Sequence, residues 1–146
     1  MQITSRFTIA VHIVTCIEYF KDDETVTSNF LAGSVGANPV IIRTVMSKLK
    51  DAGIIDISQG KSGIRLTRPL EEITFYDIYK AVECVDETGL FHFHENPNTD
   101  CPVGRNIHAA MDLRLLQIQE SMENEMRGIT VADVAGDLRK KAALTA

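Results

Sequence analysis

Residues Leu31 to Ile57 read LAGSVGANPVIIRTVMSKLKDAGIIDI, and the fold is decided by this stretch. Asn38-Pro39 opens a helix, with Asn as N-terminal cap and Pro at the first helical position, where its missing N–H is not needed. Ile42, Val45, Met46 and Leu49 recur at helical spacing and make one buried stripe. Val40, Arg43, Thr44 and Ser47 are left on the opposite face. Gly53 stops the helix as a left-handed residue. Ile54, Ile55 and Ile57 then read as a β-strand. Upstream, Thr27 or Ser28 caps a short helix through Phe30 and Leu31 to about Val35, which Gly36-Ala37 ends.

Working outward, Gln59-Gly60-Lys61-Ser62-Gly63 is a turn with two glycines and a basic tip. Ile64 and Leu66 return as a second strand, closed by Pro69. Before the short helix, Ser5 to Phe20 reads as a helix with two apolar stripes, Phe7-Val11-Val14-Ile17 and Ile9-Ile13-Cys16-Phe20, so it is buried on most sides. The order is helix, short helix, tight turn, helix with a polar outer face, and β-hairpin. It predicts a mainly α protein with a small β-wing: a winged helix-turn-helix domain over residues 1–83.

Ile73-Thr74 leads into a helix through Val82. Residues 84–101 form an irregular connecting and sensor loop. Residues 102–146 hold a dimerisation helix from Pro102 to about Arg127 and a last helix capped by Thr130. The long helix carries one apolar stripe through Val103, Ile107, Ala110, Met111, Leu115, Ile118, Met122 and Met126. The tail from Arg139 is expected to fray.

The chain has 146 residues, 45% hydrophobic and 24% charged, which excludes a disordered or low-complexity protein. The apolar-rich run from Phe7 to Ile17 falls far short of the roughly 20 residues a spanning helix needs. Glu18, Tyr19, Phe20 and Lys21 follow it, not a signal cleavage site. The expected location is cytoplasmic, with no membrane partner.

The net charge of −5 hides an asymmetry. Up to Arg68 there are eight Lys/Arg and six Asp/Glu; beyond it there are seven and fourteen. Arg43, Lys48, Lys50, Lys61, Arg65 and Arg68 cluster in the first half, the half suited to phosphate. Double-stranded DNA is therefore the expected partner. Arg43 is placed to contact guanine bidentately, and Lys48, Lys50 and Lys61 to contact phosphate as point charges. Ser5, Arg6, Asn38, Pro39, Val40, Thr44, Ser47 and Ser62 complete the candidate DNA-binding set.

The segment Leu31 to Arg43, the run Leu49-Lys50-Asp51-Ala52-Gly53-Ile54-Ile55, the Gly-rich wing and the segment Ile73 to Glu83 resemble the Rrf-two family of bacterial transcription regulators. The opening Ile3-Thr4-Ser5-Arg6-Phe7 fits as well. The resemblance covers most of the chain. That family includes repressors of cysteine metabolism, iron–sulfur regulators and nitric-oxide sensors. The resemblance implies a homodimer on a near-palindromic operator. The short Asn-Pro-Val helix start and the segment Cys101 to Ile107 look most like a branch without an iron–sulfur cluster. Gln59 stands where family wings often carry Arg, and the usual Gly-Gly is reduced to Gly63-Ile64, so Lys61 is assigned to phosphate.

Cys16, Cys84 and Cys101 form no CxxC pair, which argues against a thiolate zinc site. Cys16, on an apolar helix, reads as core. Cys101 precedes Pro102 at a helix start, a position that lowers a thiol's pKa, and is the candidate sensor, with Cys84 second. His92, His94, Cys101 and His108 are weaker candidates for a metal; otherwise no metal or cofactor is expected. If the segment is extended, His92 and His94 point the same way while Phe91 and Phe93 pack inward. No GxSxG, phosphate loop, HExxH or dinucleotide fingerprint is present, so the chain is not expected to be an enzyme. The expected function is a sequence-specific DNA-binding regulator, a repressor, responding to redox or electrophile signals through Cys101. The alternatives are a metal- or cluster-responsive regulator of the same fold, or a winged-helix adaptor that does not bind DNA.

Overall fold

The computed structural model describes residues 3–58, 63–82 and 89–145. Helix α1 spans Ser5–Tyr19, α2 Ser28–Val35 and α3 Pro39–Asp51. Strands β1, Ile55–Ile57, and β2, Ile64–Leu66, pair antiparallel, with Asp56 opposite Arg65. A 3-10 turn at Leu70–Glu72 precedes α4, Phe75–Val82; then come α5, Pro102–Arg127, and α6, Val131–Thr145. This is the mainly helical winged architecture read from the sequence. No described helix is long and apolar enough to cross a membrane.

The core is aliphatic and centred on α1. Ala10, Ile13 and Val14 are fully buried, and α1 packs against α2, α3, α4, α6 and β2. The expected stripe of α3 is buried to the residue: Ile42, Val45, Met46 and Leu49. Cys16 is buried too, its Sγ 3.3 Å from Ser34 Oγ. His12 Nε2 lies 2.9 Å from the same hydroxyl and so ties α1 to α2.

The helix ends are set locally. Thr27 Oγ1 accepts from the Phe30 N–H, and Asn38 Oδ1 from the Val40 N–H. Gly36 and Gly53 adopt φ of 74° and 75°, which closes the turns on either side of α3. Two reciprocal capping boxes start α4 and α6. Thr74 and Asp77 exchange bonds of 3.0 and 3.1 Å, and Thr130 and Asp133 of 3.0 and 3.3 Å. The two boxes sit side by side, joined by Phe75 N–H to Ile129 C=O and Val131 N–H to Ile73 C=O.

Two expectations are corrected. The tail from Arg139 is helical: α6, anchored at its start by the buried Val131 and Ala135, continues to Thr145. The single stripe expected on α5 divides in two. Ile107, Met111, Leu115, Met122 and Met126 are half-buried toward the chain's own body, whereas Val103, Ala110 and Ile118 point outward. A helix resting on a small domain presents only one narrow face to it.

Leu49 is fully buried where α3 turns toward β1. Leu49→Ala is expected to lower unfolding free energy by about 2–5 kcal/mol, measured by urea denaturation.

Candidate nucleic-acid interface

The four buried residues of α3 fix which way its other side faces. Asn38, Pro39, Val40, Arg43, Thr44 and Ser47 are all exposed, and Lys48 is half-buried at the edge. Val40 is 60% exposed, far more than an aliphatic side chain needs for the core, and suits contact with a thymine methyl. Thr44 Oγ1 donates to Val40 C=O at 2.9 Å, which turns its methyl group away from the helix backbone. Ile41, exposed next to Val40, was missed; its signal was an apolar residue outside the buried stripe. Ser5 and Arg6 are exposed in the first turn of α1, beneath the Thr4 cap.

The wing is rooted firmly. The Ile64 N–H donates to Val26 C=O at 3.1 Å, and a Cβ on Gly63 would meet that oxygen at 2.6 Å, so only glycine fits. The tip residues Gln59, Gly60, Lys61 and Ser62 lie outside the described residues, as does Cys84. Arg65 is exposed on β2. Arg68, in the basic cluster of the first half, is engaged within the chain. Its guanidinium pairs with Asp77 at 3.2 Å and donates to Glu72 C=O at 3.1 Å.

Cys101 caps α5 in an extended conformation and is partly exposed. Its side chain completes no cap hydrogen bond, yet the N–H groups of Gly104 and then Val103 act on the sulfur and hold the thiol below its usual pKa. Gly104 is required here: a Cβ would run into the Asn98 backbone where the loop crosses the helix start. The Cys101 N–H donates to Asn98 C=O at 3.2 Å, which fixes the crossing. Arg105, one turn on, turns back to Thr99 C=O at 3.5 Å.

The histidines do not alternate as an extended segment would have them. Phe93 and His94 both reach the His108 ring, with centroids 5.6 and 5.2 Å away, and Phe93 stays exposed instead of packing inward. His108 Nδ1 lies 3.7 Å from Asp112. His92 is exposed. Among the described residues no three His, Cys, Asp or Glu gather as a metal site.

Comparison with known proteins gives the family and the fold. The Rrf2 family model, described as an iron-dependent transcriptional regulator, matches residues 3–137. YwnA of Bacillus subtilis, provisionally named an HTH-type transcriptional regulator, is 38% identical over 93% of this chain and 98% of its own. A solved structure, provisionally described as a DNA-binding protein, superposes with a TM-score of 0.71 at 34% identity, over 89% of this chain and 98% of that one. Oxidised CymR of Staphylococcus aureus shares the fold, with a TM-score of 0.68 at 15% identity over 92% and 96%. The iron in the family description finds no fit among the described residues. Their only thiols are Cys101, at the start of α5, and Cys16, sunk in the core, and the paired rings of His94 and His108, with Asp112 beside His108, do not gather into a group that could hold a metal.

The lowered thiol pKa has a direct consequence. More of Cys101 is thiolate at neutral pH than in an unstructured chain. Its alkylation by iodoacetamide, followed by peptide mass spectrometry, should reach half its maximal rate at a lower pH in the native protein than in urea.

Proposed function

The chain belongs to the Rrf2 family of transcriptional regulators, and from that premise we propose that it is a homodimeric repressor that reads a near-palindromic operator and releases it when Cys101 is modified. The observation that carries this reading is α3. Its apolar side is wholly committed to the core, its outer side offers Val40, Arg43, Thr44 and Ser47, and β1, the first strand of the wing, packs against it. A recognition helix lies in the major groove in this way, with phosphate contacts on either side. Residues 1–83 act as the DNA-binding unit and residues 84–101 as the connection to α5.

Dimerisation is supported by α5. At the usual rise the helix is about 39 Å long. None of its residues is buried within the chain, and Val103 and Leu113 are 68% and 76% exposed. Leu116, three residues on from Leu113, extends this outward apolar surface, and Ile118 is exposed as well. Crossing with the same helix of a second copy covers it and sets two recognition helices one DNA turn, or a multiple of it, apart.

The sensor reading rests on position and reactivity together. The Cys101 thiolate adds to an electrophilic ring carbon of a quinone, forming a C–S bond; one oxygen takes a proton from solvent, the hydrogen on the attacked carbon moves as a proton to the other oxygen, and the ring recovers its aromaticity as the hydroquinone. The added group sits at the start of the dimer helix. Because DNA fixes half-site spacing, a small tilt there weakens both half-sites at once. Cys84 is the second candidate.

These assignments separate by experiment. Arg43→Ala should weaken operator binding by about 1–3 kcal/mol and relax base preference in a gel shift. Lys61→Ala should weaken specific and random DNA alike and flatten the salt slope by about one unit. Equal loss from both variants on both DNAs would remove Arg43 from base reading. In sedimentation, the wild type should run as a dimer at micromolar concentration and the Leu113→Glu/Leu116→Glu variant as a monomer; a stable wild-type monomer refutes the symmetric arrangement. Benzoquinone should reduce operator affinity of the wild type and spare Cys101→Ser, and equal loss in both would return Cys101 to a purely structural place.

A further inference from the structure

A pocket lies behind the wing, walled by α1, β2, the 3-10 turn and α6. Its floor is aliphatic, made by the edges of the core residues Ile17, Val26, Ile64, Leu70 and Ala135. Its rim carries three guanidinium groups, Arg65, Arg68 and Arg139. Arg68 is already held in place by Asp77 and the Glu72 carbonyl. Arg65 and Arg139 are exposed and come from opposite walls, β2 and α6. Lys21 and Glu18, on the same rim, neutralise each other at 2.7 Å, and Glu24 and Glu71 complete it.

Helix α6 meets the pocket through Ala132, Ala135 and Gly136. Gly136 is not explained by the fold. A helix-interior glycine costs about 1 kcal/mol relative to alanine. Its φ is not positive, and no atom lies within 4 Å of the place a Cβ would occupy. What the missing side chain leaves is open space in the pocket wall.

We propose that this pocket binds a small carboxylate with an aliphatic body. The planar forks of the rim arginines match a carboxylate, and the aliphatic floor takes the body. Glu24 and Glu71 disfavour a multiply charged anion and suit an ammonium group, so the carboxylate comes either from an aliphatic amino acid or from a simple fatty acid of similar size. One wall, β2, is also a strand of the wing, and its root hangs on Val26, another pocket residue. A bound ligand therefore bridges the wing and α6. That consequence for DNA rests on the regulator reading; the binding itself does not.

The test uses the full chain without DNA. Isothermal titration with leucine and with 4-methylpentanoate, its analogue lacking the amine, compares the two sources. The matching alcohol, 4-methylpentan-1-ol, and inorganic phosphate test apolar body and charge alone. At least one acid should bind saturably, and neither control should. Gly136→Leu, which fills the pocket from an exposed helix position, should abolish binding. Arg139→Ala should weaken it about tenfold. Both variants should melt close to the wild type, and the binding acid should raise the wild-type melting temperature. Saturation by leucine alone assigns the amine to Glu24 and Glu71; saturation by both acids makes the carboxylate sufficient. The proposal is overturned if neither acid saturates the wild type, if both variants bind as the wild type does, or if phosphate binds as well as the acids. Operator binding is measured separately, so a wild type that ignores DNA removes the regulator reading and leaves these titrations standing.

Discussion

Helix α1 leaves only one narrow face in water, that of Ser5, Thr8, His12 and Tyr19. Ala10, Ile13, Val14 and Ile17 are at or near zero exposure, and the three branched side chains among them contribute about 1.5–3 kcal/mol each when fully buried. A helix like this must be covered from several directions. The cover comes from α2 and α3 on one side, from α4 and β2 on others, and from α6 at the far end of the chain. Each covering helix is amphipathic and can satisfy α1 in one rotation only. The outward face of α3 is therefore a consequence of burying α1: with Ile42, Val45 and Leu49 turned inward, the polar side has nowhere to point but solvent.

The same demand explains why the last helix returns. The winged unit alone leaves part of α1 open, and Val131 and Ala135 close it. The return is made accurate by the two Thr–Asp capping boxes, whose backbones bridge so that α4 and α6 start side by side. Arg127, stacked 3.9 Å over the Tyr76 ring, guards the same junction. Helix α6 thus shares the core of α1, and its neighbour α5 is left as a surface with exposed apolar area.

Charge follows this division. The acidic surplus lies beyond Arg68 in the chain, while Arg43, Lys48 and Lys50 sit on or beside the outward face of α3. Like charges repel, so an acidic surface disfavours a phosphate backbone and a basic surface favours one. Within the first half, however, not every cation serves that purpose. Arg68 spends its guanidinium on Asp77 and Glu72, locking the segment after the wing against the start of α4.

What the sequence by itself determined is local. Periodicity placed the α3 stripe to the residue, Asn38-Pro39 and Pro102 marked two helix starts, and Gly36 and Gly53 marked two helix ends, because each signal lies within a turn or two of the backbone it governs. The outward set on α3 was legible for the same reason: it is what remains when the buried stripe is removed. Tertiary structure alone decided the rest. Whether Arg68 was free depended on Asp77, nine positions away and brought near by a 3-10 turn with no strong local pattern. Whether α5 had one apolar face or two depended on how much of it the folded body covers. The length of α6, the meeting of His94 with His108, and the pocket between β2 and α6 all depend on segments far apart in the chain. A residue's own neighbourhood encodes its helix, its cap and its turn; which partner it meets across the core is set only when every apolar face has found cover.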